Sequence, residues 1–162
     1  KGRVEGKPLP LIASDRDGFE RLSPVLSPVL KSLADRFWPG SLTIVLEIGA
    51  ELSPLLTGTA GKVGVRIPPA SPARALAARV GGLITATSAN LSGEPDPDRV
   101  ERISGRLLSA VDLVMDAGPT PGGYPSTVVE AWEDRIRVIR EGAIRQSEIR
   151  KYLLGLHARK SS

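Results

Sequence analysis

Two periods alternate along this chain, and their alternation limits what it can fold into. Residues 42–48 place Leu42, Ile44, Leu46 and Ile48 at every second position, the pattern of a half-buried strand. Residues 28–38 instead space Val29, Leu30, Leu33, Ala34 and Phe37 as one face of a helix. Punctuation marks the switches. Ser27-Pro28 and Ser71-Pro72 each set a capping hydroxyl before a proline at the first helical position. Pro39-Gly40 stops the first of these helices, and Gly81-Gly82 stops the second, whose apolar side is Ala73, Leu76, Ala77 and Val80.

Taken in order, the pattern predicts strands at 7–14, 42–48, 63–67, 84–87, 111–115, 127–131 and 135–139, the last two a hairpin across 132–134. It predicts helices at 15–22, 28–38, 72–80, 97–108 and 148–154. Val100, Ile103 and Leu107 would face inward, Ser147 would cap the last helix and Gly155 would end it. Residues 52–62 read as loop. Strands interleaved with helices, plus a late hairpin, argue for one α/β domain with a twisted mixed β-sheet and flanking helices. That domain is assigned to residues 1–145, and 146–162 to a C-terminal helix and basic tail.

A chain of 162 residues is long enough for one such core. Its apolar runs fall far short of the roughly eighteen residues a membrane span needs, so no membrane partner is expected. There is no cysteine, which excludes disulfides and thiolate chemistry and fits a cytoplasmic location. The one histidine, His157, lies in the basic tail, which argues against a Ser-His-Asp triad or a histidine-ligated zinc. Chemistry is left to Arg, Lys, Ser, Thr, Asn and backbone amides, a set suited to positioning an anionic substrate. Charge is uneven: the whole chain carries +4, whereas residues 135–162 hold eight Lys or Arg against Glu141 and Glu148. Such an end suits a nucleic-acid or phosphate face, or equally a solvated helix.

Several residues could carry chemistry, each with an ordinary alternative. The strand at 84–87 opens into Ser88-Ala89-Asn90-Leu91-Ser92-Gly93, at the strand end where open α/β sheets bind ligands. A plain Asx or Ser turn reads the same way. Arg66, between Val65 and Ile67, offers a fork for a carboxylate or phosphate, or is simply an exposed side chain. Gly61-Lys62 looks like a phosphate loop, but the required Ser/Thr and helix do not follow it. The loop 116–127 is rich in glycine, so backbone there could approach a ligand. Arg140 ends the last strand, and Lys1 and Arg3 form a small basic pair.

Together these residues form a series of blocks. Lys1-x-Arg3, Phe37-Trp38-Pro39-Gly40, Val63-Gly64-Val65-Arg66-Ile67-Pro68, Thr87-Ser88-Ala89-Asn90-x-Ser92-Gly93, Pro125-Ser126-Thr127-Val128-Val129 and Arg140-x-Gly142-Ala143-Ile144 stand in that order. In this the chain resembles the YrdC-like threonylcarbamoyl-AMP synthase family over about residues 1–145. The resemblance implies the YrdC-like fold. It also implies an enzyme that joins L-threonine, bicarbonate and ATP into threonylcarbamoyl-adenylate and releases pyrophosphate. The product would pass to the tRNA threonylcarbamoyl transferase machinery that modifies tRNA. It further implies ATP contacts from Lys1, Arg3, Lys62 (through its main chain), Ser88, Asn90 and Arg140. Threonine contacts would come from Arg66, Ala86 and Ser126. Mg2+ would be carried on the ATP phosphates, with no protein ligand named.

Val4, Lys7 and Ser41 depart from the family's usual residues. The family also has a preceding strand ending in Thr-x-Tyr-Gly-Leu and a helix after it, and Lys1 stands roughly where that helix ends. On this expectation the chain is either trimmed or a variant lacking part of its pocket. Two other functions fit the same residues. One is the related carbamoyl-adenylate chemistry of hydrogenase-maturation carbamoyltransferases, which carry zinc-binding cysteines. The other is a double-stranded RNA or tRNA-binding module using the basic end.

Overall fold

The computed structural model describes residues 8–22, 26–48, 52–120, 123–132 and 135–160. Six strands form one sheet in the order β4-β1-β3-β2-β5-β6. They are β1 (Leu11–Ala13), β2 (Leu42–Glu47), β3 (Lys62–Arg66), β4 (Leu83–Thr85), β5 (Thr127–Trp132) and β6 (Arg135–Arg140). β1 runs parallel to β3 and β2 parallel to β5, and the remaining neighbours are antiparallel. The sheet is therefore mixed, as the pattern predicts.

Helices α1 (Arg16–Glu20), α2 (Pro28–Phe37) and α4 (Pro72–Arg79) begin where capping chemistry places them. The Asp15 carboxylate accepts from Gly18 N at 2.9 Å, the Ser27 hydroxyl from Leu30 N at 3.3 Å and the Ser71 hydroxyl from Arg74 N at 3.3 Å. Each cap satisfies one amide that the first helical turn leaves without a partner.

Period-two alternation gives the sheet two unlike faces. Leu42, Ile44, Leu46, Val63, Val65 and Val129 turn to one side and are buried against Phe19, Leu30, Leu33 and Phe37 from α1 and α2. Burying side chains of this size contributes roughly 1.5–3 kcal/mol each. Phe19 and Trp38 meet edge to face at 4.7 Å. The C-terminal helix α6 (Gln146–Lys160) closes the same core through Ile149, and the Tyr152 hydroxyl lies 2.8 Å from that of Ser32 on α2. The opposite face carries Pro10, Ile12, Thr43, Val45, Gly64, Val128 and the ionic side chains.

Four expectations are corrected. Residues 52–62 hold a short helix, α3 (Pro54–Thr57), and a 3-10 turn at Gly58–Ala60, with β3 already starting at Lys62. One-turn elements leave no period to read. The helix expected at 97–108 is a 3-10 turn, Val100–Arg102, and the single turn α5, Gly105–Leu108. Extended backbone at Ile103 separates them. Residues 111–115 form no strand, and Val111, Leu113, Val114 and Met115 are exposed. A β-rich pattern becomes a strand only where a neighbour takes its ladder bonds, and no described strand lies beside this one. Helix α6 begins at Gln146, whose amide donates to the Glu141 carboxylate at 2.9 Å, and runs through Gly155. An exposed glycine in a helix costs only about 1 kcal/mol relative to alanine.

One hydroxyl knots the chain end to the sheet. Thr127 Oγ1 accepts from Gly142 N at 2.9 Å and Ile144 N at 3.0 Å and donates to the Ile144 carbonyl at 2.5 Å. Ala143 N also donates to the Pro125 carbonyl at 2.8 Å. A Cβ on Gly142 would overlap the Pro125 carbonyl oxygen and stand 2.8 Å from that of Ser126, so only glycine fits. On the open face, Glu130 clamps three strands. Its carboxylate meets Lys62 Nζ of β3 at 2.8 Å and Arg137 Nη2 of β6 at 2.5 Å, and Lys62 also reaches Glu47 of β2 at 3.4 Å.

Gly142→Ala should lower unfolding free energy by about 1–3 kcal/mol in denaturant titration, the range for a methyl forced into filled space. The Glu130 clamp predicts a pH response. The hydrogen bond from Lys62 holds the Glu130 carboxyl below its ordinary value of 4.5, against the opposing effect of burial. The same bond raises Lys62 above 10.5. The stabilisation is therefore complete between those two ordinary values. It falls away as pH drops through the lowered Glu130 value, and at the alkaline end as pH rises through the raised Lys62 value. Glu130→Gln should cost about 1–2 kcal/mol at neutral pH, allowing for the exposure of Lys62 and Arg137. It should also flatten the acid limb of stability against pH, measured by thermal unfolding from pH 3 to 7.

Candidate functional site

The register assigns Arg66 and Arg140 to the open face. Arg66 is paired across β1 with Ile12, which faces Ile84 on β4. On its other side Arg66 lies one step beyond the Ile44–Val65 pair, opposite Thr43. Thr43 in turn pairs with Val128, and Val128 with Arg140. One rung of the sheet thus carries Ile12, Arg66, Thr43, Val128 and Arg140 on a single face. A bulge between Val128 and Val129 re-aims the end of β6, so that Arg140 shares that face.

Hydrogen bonds tighten this rung into a cluster. Thr43 Oγ1 lies 2.8 Å from Ser126 Oγ. Arg140 Nη2 donates to the Ser126 carbonyl at 2.9 Å and reaches Ser126 Oγ at 3.4 Å. Arg66 contributes differently. Its Nε is buried without a hydrogen-bond partner, the one such side-chain atom among the described residues. Burial pushes its guanidinium below the ordinary value, yet an arginine there stays charged. Among the described residues neither Arg66 nor Arg140 is ion-paired with a carboxylate. Two uncompensated guanidinium groups therefore flank a pair of hydroxyls.

The scaffold holds this end of the sheet from beneath. Gly40 N donates to the Ile67 carbonyl at 2.8 Å, just past Arg66, and Trp38 Nε1 donates to the Leu42 carbonyl at 2.6 Å, just before Thr43. A Cβ on Gly40 would overlap the Phe37 carbonyl oxygen. The Phe37-Trp38-Pro39-Gly40 block is thus a bracket for the strand ends that carry Arg66 and Thr43. The Thr127–Gly142 knot does the same for Ser126 and Arg140.

The other candidates lie elsewhere. Ala86 is on the edge of the open face, its amide donating to the Pro10 carbonyl at 2.8 Å. Beside it, Pro10 and Gly64 come close enough that a Cβ on Gly64 would be 3.9 Å from that of Pro10. Lys62 stands four residues before Arg66 on β3, about 13 Å away along the strand, with its ammonium held by Glu130 and Glu47. Ser88 and Asn90 share a loop after β4, where the Ser88 hydroxyl donates to Asn90 Oδ1 and Asn90 Nδ2 donates to the Glu94 carbonyl at 2.5 Å. β4 and β6 are opposite edges of the sheet. Ser88 and Asn90 therefore follow one edge strand, and Arg140 ends the other. Lys1 and Arg3 lie outside the described residues.

Three participants escaped the sequence. Thr43 reads only as an interruption of an apolar run, although its place between Leu42 and Ile44 sets it on the other face. Glu130 is a carboxylate within Val-Val-Glu-Ala, and its 7 % exposure is the signal that it must be paired. Thr127 faces the core, and its role as a knot depends on residues fifteen and seventeen positions later.

Among the described residues no group of three His, Cys, Asp or Glu is placed to hold a metal ion. Among the described strand residues, the carboxylates on the open face, Glu47 and Glu130, are already engaged by Lys62 and Arg137.

Comparison with known proteins matches residues 1–142 to the Sua5/YciO/YrdC family model, described as telomere recombination. The threonylcarbamoyl-AMP synthase of Bacillus subtilis is 35% identical over 161 residues, 99% of this chain and 46% of the relative. That of Thiobacillus denitrificans is 35% identical over 133 residues, 80% of this chain and 69% of the relative. The crystal structure of Pyrococcus abyssi Sua5 complexed with L-threonine superposes with a TM-score of 0.86 at 32% identity. It covers 94% of this chain and 45% of that one. The chain thus spans about half the length of the Bacillus and Pyrococcus relatives. With the six-stranded sheet, the ordered sequence blocks and the family match in agreement, the chain belongs to the Sua5/YciO/YrdC family.

Proposed function

We propose that this chain is the catalytic part of a threonylcarbamoyl-AMP synthase. It would form threonylcarbamoyl-adenylate and pyrophosphate from L-threonine, bicarbonate and ATP, for threonylcarbamoyladenosine modification of tRNA. The observation that carries the reading is the pair of guanidinium groups, Arg66 and Arg140, uncompensated on one sheet face and bridged by Thr43 and Ser126. Such a face attracts carboxylates and phosphates, and it needs no nucleophilic side chain.

In this reading the threonine carboxylate lies on Arg66 and Ser126, with backbone at Ala86 beside it. The nucleotide extends from Arg140 towards the Ser88–Asn90 loop, Lys1 and Arg3. Lys62 contributes its main chain, since its ammonium is occupied. The threonine amine and bicarbonate condense to a carbamate with loss of water. A carbamate oxygen then bonds to the α-phosphorus as the bond to the bridging oxygen breaks and pyrophosphate leaves. The chain's own residues align the two reactants and neutralise charge. Magnesium, held by the ATP phosphates, would add to that neutralisation.

A cytoplasmic setting and hand-over to the tRNA threonylcarbamoyl transferase machinery belong to the same proposal. Among the described residues no helix is long and apolar enough to cross a membrane.

The test is pyrophosphate release by the protein expressed from its complete reading frame. Release should require ATP, L-threonine and bicarbonate together, and release that ignores threonine would overturn the proposal. Arg66→Ala should raise the KM for threonine roughly 10- to 100-fold with little change for ATP, and Arg140→Ala the reverse. That range corresponds to one charge-assisted contact of about 1.5–3 kcal/mol.

A second reading, RNA binding, is favoured by the exposed cations Arg135 and Arg137 on β6, Arg145 just before α6, and Arg150 and Lys151 on α6. tRNA affinity should fall steeply between 50 and 200 mM salt. Affinity no better than that of an unrelated protein of equal charge would remove this reading.

A further inference from the structure

We infer that Thr43 is a positioning residue, whose hydroxyl aims the Ser126 O–H at the substrate carboxylate. The inference rests on the function proposed above and goes one step deeper into the same site. Thr43 and Ser126 are 2.8 Å apart, and distance alone leaves either as the donor. The surroundings decide. Thr43 is only 7 % exposed, and among the described residues Ser126 Oγ is the one acceptor its hydroxyl meets. Were Ser126 the donor, the Thr43 hydrogen would be buried without a partner, a costly arrangement. Thr43 therefore donates.

A serine oxygen has two lone pairs and one hydrogen. Thr43 takes one lone pair and Arg140 Nη2, at 3.4 Å, faces the other. Among the described residues the Ser126 hydrogen is left without an acceptor. The unpartnered Nε of Arg66 shares the same face, on the strand next to Thr43. Two unused donors, one on β3 and one just before β5 with Thr43 of β2 between them, call for a ligand with at least two acceptor oxygens, and a carboxylate meets that need. Without Thr43 the Ser126 hydroxyl would rotate freely, so part of the orientation would have to be recovered when the ligand binds.

L-threonine binding by calorimetry, with ATP binding as the control, tests this. Thr43→Val keeps the volume and removes the donor, and it should weaken threonine binding about tenfold, the loss of one neutral hydrogen bond's worth of orientation. ATP affinity should not move. Thr43→Ser should restore threonine binding to within about twofold. The decisive arm is coupling: in a Ser126→Ala background, Thr43→Val should cost nothing further, because Thr43 acts only through that hydroxyl. A full further loss in that background, or an unchanged affinity in Thr43→Val alone, would overturn the inference while leaving the proposed function intact. If the unsubstituted protein takes up no L-threonine, both fall.

Discussion

Everything at this site depends on the two-residue period of the β-strand. Once β2, β3 and β5 bury Leu42, Ile44, Val63, Val65 and Val129 on one side, the residues between them must face the other. Thr43, Gly64, Arg66, Val128 and Glu130 are those residues. A one-residue slip of β3 would bury Arg66 in the core and expose Val65. The hydrophobic energy that fixes the register therefore also fixes the site. Packing and binding are two faces of one constraint.

The sequence blocks divide accordingly into groups that could meet a ligand and groups that hold them still. Phe37-Trp38-Pro39-Gly40 acts on the strand backbone. It anchors the backbone at Ile67 and Leu42, each one residue from a site residue. Gly142 and Thr127 act alike, fixing the segment after Arg140 against the start of β5. Strand ends are where ladder bonds run out and backbone is free to shift. Both brackets stand at such ends, which accounts for glycines that leave no room for a Cβ.

How far the chain could be read in advance follows from which interactions are local. Caps at Ser27 and Ser71, the helix stop at Gly81-Gly82 and the alternation of β2 are settled within a few residues, and the structure carries all of them. Arg66 was legible as an oddity, a cation in an apolar strand. Its unpartnered Nε was not, because that depends on what β1 and β2 place beside it. Residues 111–115 show the opposite failure. Their pattern is that of a strand, yet the ladder bonds a strand needs come from a neighbour, and no local rule reports whether one is there. The Thr127 knot and the Glu130 clamp likewise join residues far apart in sequence.

Charge on the open face is divided by the same geometry. At the Lys62 end, carboxylates from β2 and β5 neutralise the cations of β3 and β6, and that end is held by ion pairs. Further along the same strands the carboxylates give way to Thr43 and Val128, while the cations persist as Arg66 and Arg140. A hydroxyl can orient a guanidinium but cannot cancel its charge. The surface therefore passes from a self-satisfied cluster to one with unmet positive charge within about 13 Å, the rise of four strand residues. An anion arriving on this face gains far more at the second end than at the first, because only there does it displace no carboxylate. In the proposed function the protein's own acids, by occupying Lys62 and Arg137, would leave Arg66 and Arg140 as the cations open to an anionic substrate.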